Sequence, residues 1–168
     1  MKKVIGGIII VVCLILFFNV SLFAEEIQPQ YDVPLDWAIQ DYLIEISNRN
    51  DISPELVLAI IEVESAYQSD VVDSEGKCFG LMQINKSAHK DLMKHIGCVD
   101  ILDKKDNITM GIGILKELFR KYHDVEWVLM AYNGGEEYLH RQVRKGIHST
   151  AYTKKVLGVQ ERLYNEQS

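Results

Sequence analysis

The sequence predicts a mainly α protein, a single helical domain with at most a minor β element. Three observations carry this. Apolar residues return at three- and four-residue spacing in run after run, no run shows sustained alternation, and 168 residues hold one domain and hardly two. Leu35, Ile39, Tyr42, Leu43 and Ile46 mark a first helix from Pro34 to about Arg49. Ser53-Pro54 is a capped start with proline in the first turn, opening a second helix that runs to about Tyr67. Residues 68–80 turn to Asp, Ser, Gly and Lys and read as loop, after which Leu81 to Ile84 is apolar. Ser87 to His95 reads as a short helix ending at Gly97. Asp106 or Asn107 is expected to cap the next, with Ile108, Ile112, Leu115, Leu118, Phe119 and Tyr122 as its core stripe; Gly111 and Gly113 would admit a close neighbour. Trp127 to Tyr132 continues helical and should stop at Gly134-Gly135, with two more helical stretches near 136–145 and 150–165.

The first 24 residues stand apart from this domain. Lys2 and Lys3 precede an apolar run from Val4 to Phe18, and Ala24 precedes Glu25 and Glu26. Such a pattern predicts a secretory signal peptide or, if uncleaved, an N-terminal membrane anchor. Residues 25–33, with Pro29, read as a polar linker, which leaves 34–168 as the domain. The chain is therefore expected outside the cytoplasm, secreted or anchored, touching a membrane only through this segment. Removing the leader leaves 16 basic against 24 acidic residues, a net charge of −8. No basic stripe remains to neutralise phosphates, which argues against nucleic acid as a partner. In an oxidising compartment Cys78 and Cys98 could bridge, or remain two buried free thiols; spacing alone leaves both open.

The segment VLAIIEVESAY, residues 57–67, carries two glutamates in an apolar setting. Residues two apart on a helix face different ways. Glu62 has Leu58, Ala59, Ser65 and Ala66 as helical neighbours and could face solvent, whereas Glu64 continues the line of Val57 and Ile61 towards the buried side. A carboxyl there is partly desolvated, which disfavours its charge and suits a general acid. The plain reading of a lone glutamate on such a face is a core-edge residue paired with a cation.

Other residues decide between these. Glu64-Ser65 is followed by Ser74-Glu75-Gly76, by Gly80-Leu81-Met82-Gln83-Ile84-Asn85, by Asn107-Ile108 with Gly111, and by Ala131-Tyr132-Asn133-Gly134-Gly135. Together and in this order, the set resembles the catalytic domain of soluble-type lytic transglycosylases, glycoside hydrolase family 23. The resemblance covers roughly Leu35 to Leu163 and implies a lysozyme-like fold. It implies cleavage of the β-1,4 bond between N-acetylmuramic acid and N-acetylglucosamine in peptidoglycan, forming a 1,6-anhydro ring, with Glu64 as the single catalytic acid. By the same resemblance Tyr132 would bond the acid or the sugar N-acetyl group, and Met82 and Gln83 would line the sugar cleft. Ser65, Ser74 and Asn133 complete the expected substrate-binding set, with geometric roles as the plainer reading for all three. Asp70, Asp73 and Glu75 match no catalytic position and read as solvated loop charges. Lys77, Cys78 and Phe79 depart from the residues common in the family between its two motif glycines.

The resemblance implies peptidoglycan strands as the partner, no cofactor, and a monomer. No His and Cys spacing suggests a metal site. Two alternatives use the same fold: a goose-type muramidase that hydrolyses the same bond, and a non-catalytic wall-binding protein.

Overall fold

The structure, a computed structural model, describes residues 31–167. The leader and the first part of the expected linker lie outside the described residues. Residues 31–33, expected as the end of the linker, pack against the helices. Tyr31 is buried, its N–H donates to Gln40 Oε1 (3.0 Å), and its hydroxyl donates to Glu55. Gln40 in turn donates to the carbonyl of Leu35 (3.0 Å). These bonds keep residues 31–36 out of the helix, so α1 is Trp37–Arg49 and starts three residues after Pro34.

The second helix, α2, is Pro54–Ser65, opened by Ser53, whose hydroxyl accepts from the N–H of Leu56 (3.2 Å). Leu56 to Ile61 are six consecutive buried residues. No helix facing water on one side buries such a run, so α2 is the centre of the domain and its neighbours wrap it. The most extensive of these contacts is with α6, Ala151–Gln167, which buries Thr153, Val156 and Leu163.

Two short strands, β1 (Cys78–Phe79) and β2 (Ile84–Asn85), pair antiparallel with Cys78 opposite Asn85 and Phe79 opposite Ile84. Val72 adds a bridge to Phe79. This is the minor β element. Helix α3 is Lys90–Ile96, ending at Gly97 (φ 78°), and so begins three residues later than its sequence signal. Helix α4 is Lys104–Lys121, and its cap is Asp103, whose Oδ1 accepts from Lys105 and Asp106 (2.9 and 3.0 Å). Asp106 and Asn107 are therefore inside the helix rather than its caps. Ile108, Ile112, Leu115 and Leu118 of the expected stripe are buried, whereas Phe119 and Tyr122 are half-buried at its edge.

Helix α5, Val125–Arg144, is interrupted where the glycine stop was expected. Gly135 (φ 79°, ψ 165°) kinks the chain, which resumes as helix at once instead of leaving through a loop. Six helices and one two-stranded sheet thus make a mainly α domain among the described residues. None of these helices is long and apolar enough to cross a membrane.

Candidate active site

Helix α2 ends at the wall of a cleft of about 640 Å³. The hairpin residues Asp73, Cys78, Gln83, Ile84 and Asn85 form one side, and the kinked segment from Ala131 to Glu136 forms another. Glu64, in the last turn of α2, contributes to this wall.

Its setting answers why the helix carries an acid there. Glu64 is half-buried, and burial raises its carboxyl above the ordinary value. The hydroxyl of Tyr152, which donates to Oε1 (2.6 Å), and the positive charge of Lys155 pull the other way without cancelling the effect. Tyr152 keeps its own proton, because burial and the Glu64 charge both oppose its ionisation. The α2 end is itself unusual. Ala66 (φ 49°) and Tyr67 (φ 65°) are consecutive left-handed residues without a glycine, at about 1–2 kcal/mol each. Gln83, across the cleft, is also left-handed (φ 47°).

Gln83 lines the cleft, but its Nε2 donates inward to the carbonyls of Gly80 (2.9 Å) and Val71 (3.2 Å), which fixes the hairpin. Asn133 is exposed and lines the cleft beside Gly134 and Gly135. Two expectations need correction, and a third residue, Ser65, takes its plainer, geometric reading. Met82 is fully buried and does not line the cleft; it lies against Gly111, where a Cβ would overlap its sulfur. Tyr132 lines the cleft, yet its hydroxyl donates to the Met82 carbonyl (2.8 Å) and not to the acid. Ser65 is buried and donates to the carbonyl of Ile61 (3.1 Å), a helix-end bond with no access to a ligand.

Ser74 is exposed on the hairpin and is not part of the cleft wall. Cys78 and Cys98 are free thiols, so the bridge is not formed. Cys78 lines the cleft, and burial followed by the charges of Asp73 and Glu64 pushes its thiol up.

Sequence reasoning missed Tyr152, which meets Glu64 across 88 residues of chain. A signal existed: Tyr152 shares a helix stripe with Val156 and Leu163, and a tyrosine on a buried stripe needs a hydroxyl partner. Asp73 is a solvated loop charge, as expected, with a place that the sequence does not show. It lines the cleft, and its Oδ1 accepts from the N–H groups of Lys77 (2.6 Å) and Cys78 (2.9 Å), which hold its carboxyl below the ordinary value and therefore ionised.

The loop carrying Gln83 is anchored by Asn107. This buried side chain accepts from the Met82 N–H (2.8 Å) and donates to the carbonyls of Phe79 (2.9 Å) and Ile101 (2.7 Å). Gly80 (φ 73°) permits the approach, since a Cβ there would overlap the Asn107 amide. The sequence therefore spends a glycine and an asparagine to hold one turn.

Comparison with known proteins gives the family and the fold. The family model described as Transglycosylase SLT domain matches residues 41–154. A protein of Enterobacteria phage PRD1 named "Transglycosylase" is 30% identical over 111 residues, which is 66% of this chain and 38% of the phage protein. Two solved structures share the fold, each with a TM-score of 0.67. One is an inactive glutamate-to-glutamine mutant of the lytic transglycosylase Slt from Pseudomonas aeruginosa (18% identity, 76% of this chain, 24% of that one). The other is the 70 kDa soluble lytic transglycosylase of Escherichia coli (20% identity, 80% of this chain, 25% of that one). This chain thus spans well under half the length of each of these proteins.

Proposed function

The chain belongs to the Transglycosylase SLT domain family, and from that premise we propose that it cleaves peptidoglycan outside the cytoplasm as a lytic transglycosylase. The bond broken is the β-1,4 link from N-acetylmuramic acid to N-acetylglucosamine. The observation that carries this reading is the Glu64 carboxyl, desolvated at the wall of a cleft and held through one oxygen by Tyr152.

With Tyr152 on Oε1, the proton of Glu64 resides on Oε2 and is donated to the glycosidic oxygen as the bond to the anomeric carbon breaks. The muramic C6 hydroxyl attacks that carbon, and the Glu64 carboxylate accepts the hydroxyl proton. A 1,6-anhydro ring results, no water is consumed, and Glu64 is again protonated. Burial serves the first half of this cycle by favouring the protonated acid; the Tyr152 bond serves the second by stabilising the carboxylate.

A hydrolytic reading is favoured by one observation, the ionised Asp73 in the same cleft, since hydrolysis needs a second carboxylate to activate water. One experiment separates the two. Purified sacculi are digested with protein lacking residues 1–24 in ¹⁸O-labelled water, and the released sugar termini are identified by mass spectrometry. Anhydro ends without label are expected; reducing ends carrying label would establish hydrolysis instead.

A further inference from the structure

Glu62 and Glu64 are two residues apart and are held from opposite ends of α6. Beyond Glu64 the chain makes the left-handed pair Ala66 and Tyr67, a conformation that persists only where the surroundings over-determine it. The Tyr67 hydroxyl donates to Glu62 Oε2 (3.0 Å), and Arg162 Nη2, from α6, donates to the same oxygen (2.6 Å). Arg162 Nη1 donates to Glu166 (3.0 Å), which orients the guanidinium. Ten residues earlier on α6, Tyr152 donates to Glu64. One carboxylate oxygen thus joins the turn after the acid to the helix that supplies the acid's hydrogen bond.

We propose that Glu62, Tyr67 and Arg162 are positioning residues that form a clamp, holding the left-handed turn closed and α6 in place so that Glu64 stays at the cleft wall under Tyr152. The clamp rests on the reading of Glu64 as the acid. None of the three residues lines the cleft, so none touches the sugar there. A partly exposed ion pair of this kind contributes little to global stability, so its effect is read at Glu64 and not in a melting curve. The charged and titratable groups acting on Glu64 are Tyr152 and Lys155 of α6, while Cys78 of the hairpin and Tyr132 of α5 feel its charge.

The test is the titration of the Glu64 carboxyl by ¹³C NMR in glutamate-labelled protein, with the resonance assigned by its absence in Glu64→Gln. Tyr67→Phe removes one hydroxyl and leaves every charge below pH 8 unchanged, so a shift in it reports geometry. Opening the turn admits water, which lowers the midpoint, and loosens the Tyr152 bond, which raises it; burial is the larger of the two influences on Glu64, so the midpoint is expected to fall by about 0.5 pH unit or more. Removing a cation by Arg162→Ala would by itself move the midpoint up, whereas loosening the clamp moves it down. A fall in both variants, with restoration in Arg162→Lys, is the expected result. In glycan cleavage kcat should drop about fivefold or more with KM nearly constant. An unmoved midpoint in Tyr67→Phe and a rise in Arg162→Ala overturn the clamp; should Tyr67→Phe not fold, the sign in Arg162→Ala decides alone. Because the titration needs no turnover, a clamp signature without glycan cleavage would refute the enzymatic reading only. Cleavage with an unmoved midpoint would refute the clamp only.

Discussion

Glu64→Gln is expected to lower glycan cleavage by about 10²–10⁴-fold, the contribution typical of a positioned general acid. The amide keeps the shape and an acceptor for the Tyr152 hydroxyl but has no proton to give to a leaving oxygen, so KM should change little. Stability should move the opposite way to activity, and with a defined pH dependence. The Glu64 carboxyl is raised in the folded protein. Between its unfolded and folded midpoints the native state holds more protons than the unfolded one, so wild-type stability falls as pH rises through that window. The glutamine does not titrate there. Urea denaturation at several pH values should show the variant matching the wild type below the ordinary carboxyl range and gaining on it as pH rises. An advantage that is constant across pH would point to packing instead.

Asn107→Leu should be the most damaging single change for the fold near the cleft. The side chain is buried and serves three backbone groups, the Met82 N–H and the carbonyls of Phe79 and Ile101. Leucine fills a similar volume and satisfies none. A buried polar group left unpaired costs about 1–3 kcal/mol, and the three share some relaxation, so a total loss of about 3–5 kcal/mol is expected. For a domain of this size that corresponds to about 10–20 °C in Tm. The consequence is not confined to stability. The same side chain fixes the turn from Gly80 to Gln83, and Tyr132 hangs from the Met82 carbonyl. Thermal melts should show the shift, and whatever folded fraction remains at low temperature should cleave glycan poorly. A variant within about 1 kcal/mol of wild type would mean that water replaces the lost bonds.

These two residues show what local sequence reveals and what it does not. Glu64 stands out because a carboxyl on the line of Val57 and Ile61 violates helix patterning, and the patterning reaches only three or four positions away. The structure does place it at a cleft, half-hidden from water. Helix starts that depend on a residue's own turn were readable, as at Ser53-Pro54. Starts fixed by distant side chains were not: Gln40 delays α1 by binding Tyr31 and Leu35. Asn107 looked like a cap because asparagine near a helix start usually is one. Only the folded chain shows Asp103 in that role and Asn107 turned towards a loop about 25 residues away.

The same limit explains Met82 and Tyr132. Both fall within the family motif, but the motif does not say which way Met82 turns in the four-residue connection between β1 and β2, where no periodicity exists to read, nor which partner the Tyr132 hydroxyl takes from α5. Gly111 permits a close approach, and what approaches is Met82. Tyr152 belongs to no quoted motif and meets its partner through tertiary convergence alone. The question raised by two acids in one oily helix thus resolves into a division of labour, with Glu62 bound to Arg162 at the surface and Glu64 desolvated at the cleft.

The most direct test of the account is the protonation midpoint of Glu64 in the wild-type protein, followed at its carboxyl carbon by ¹³C NMR. The desolvated site predicts a midpoint clearly above 4.5, the ordinary value for a glutamate. A midpoint at or below that value would mean a hydrated or ion-paired carboxylate, and Glu64 could not then serve as the acid.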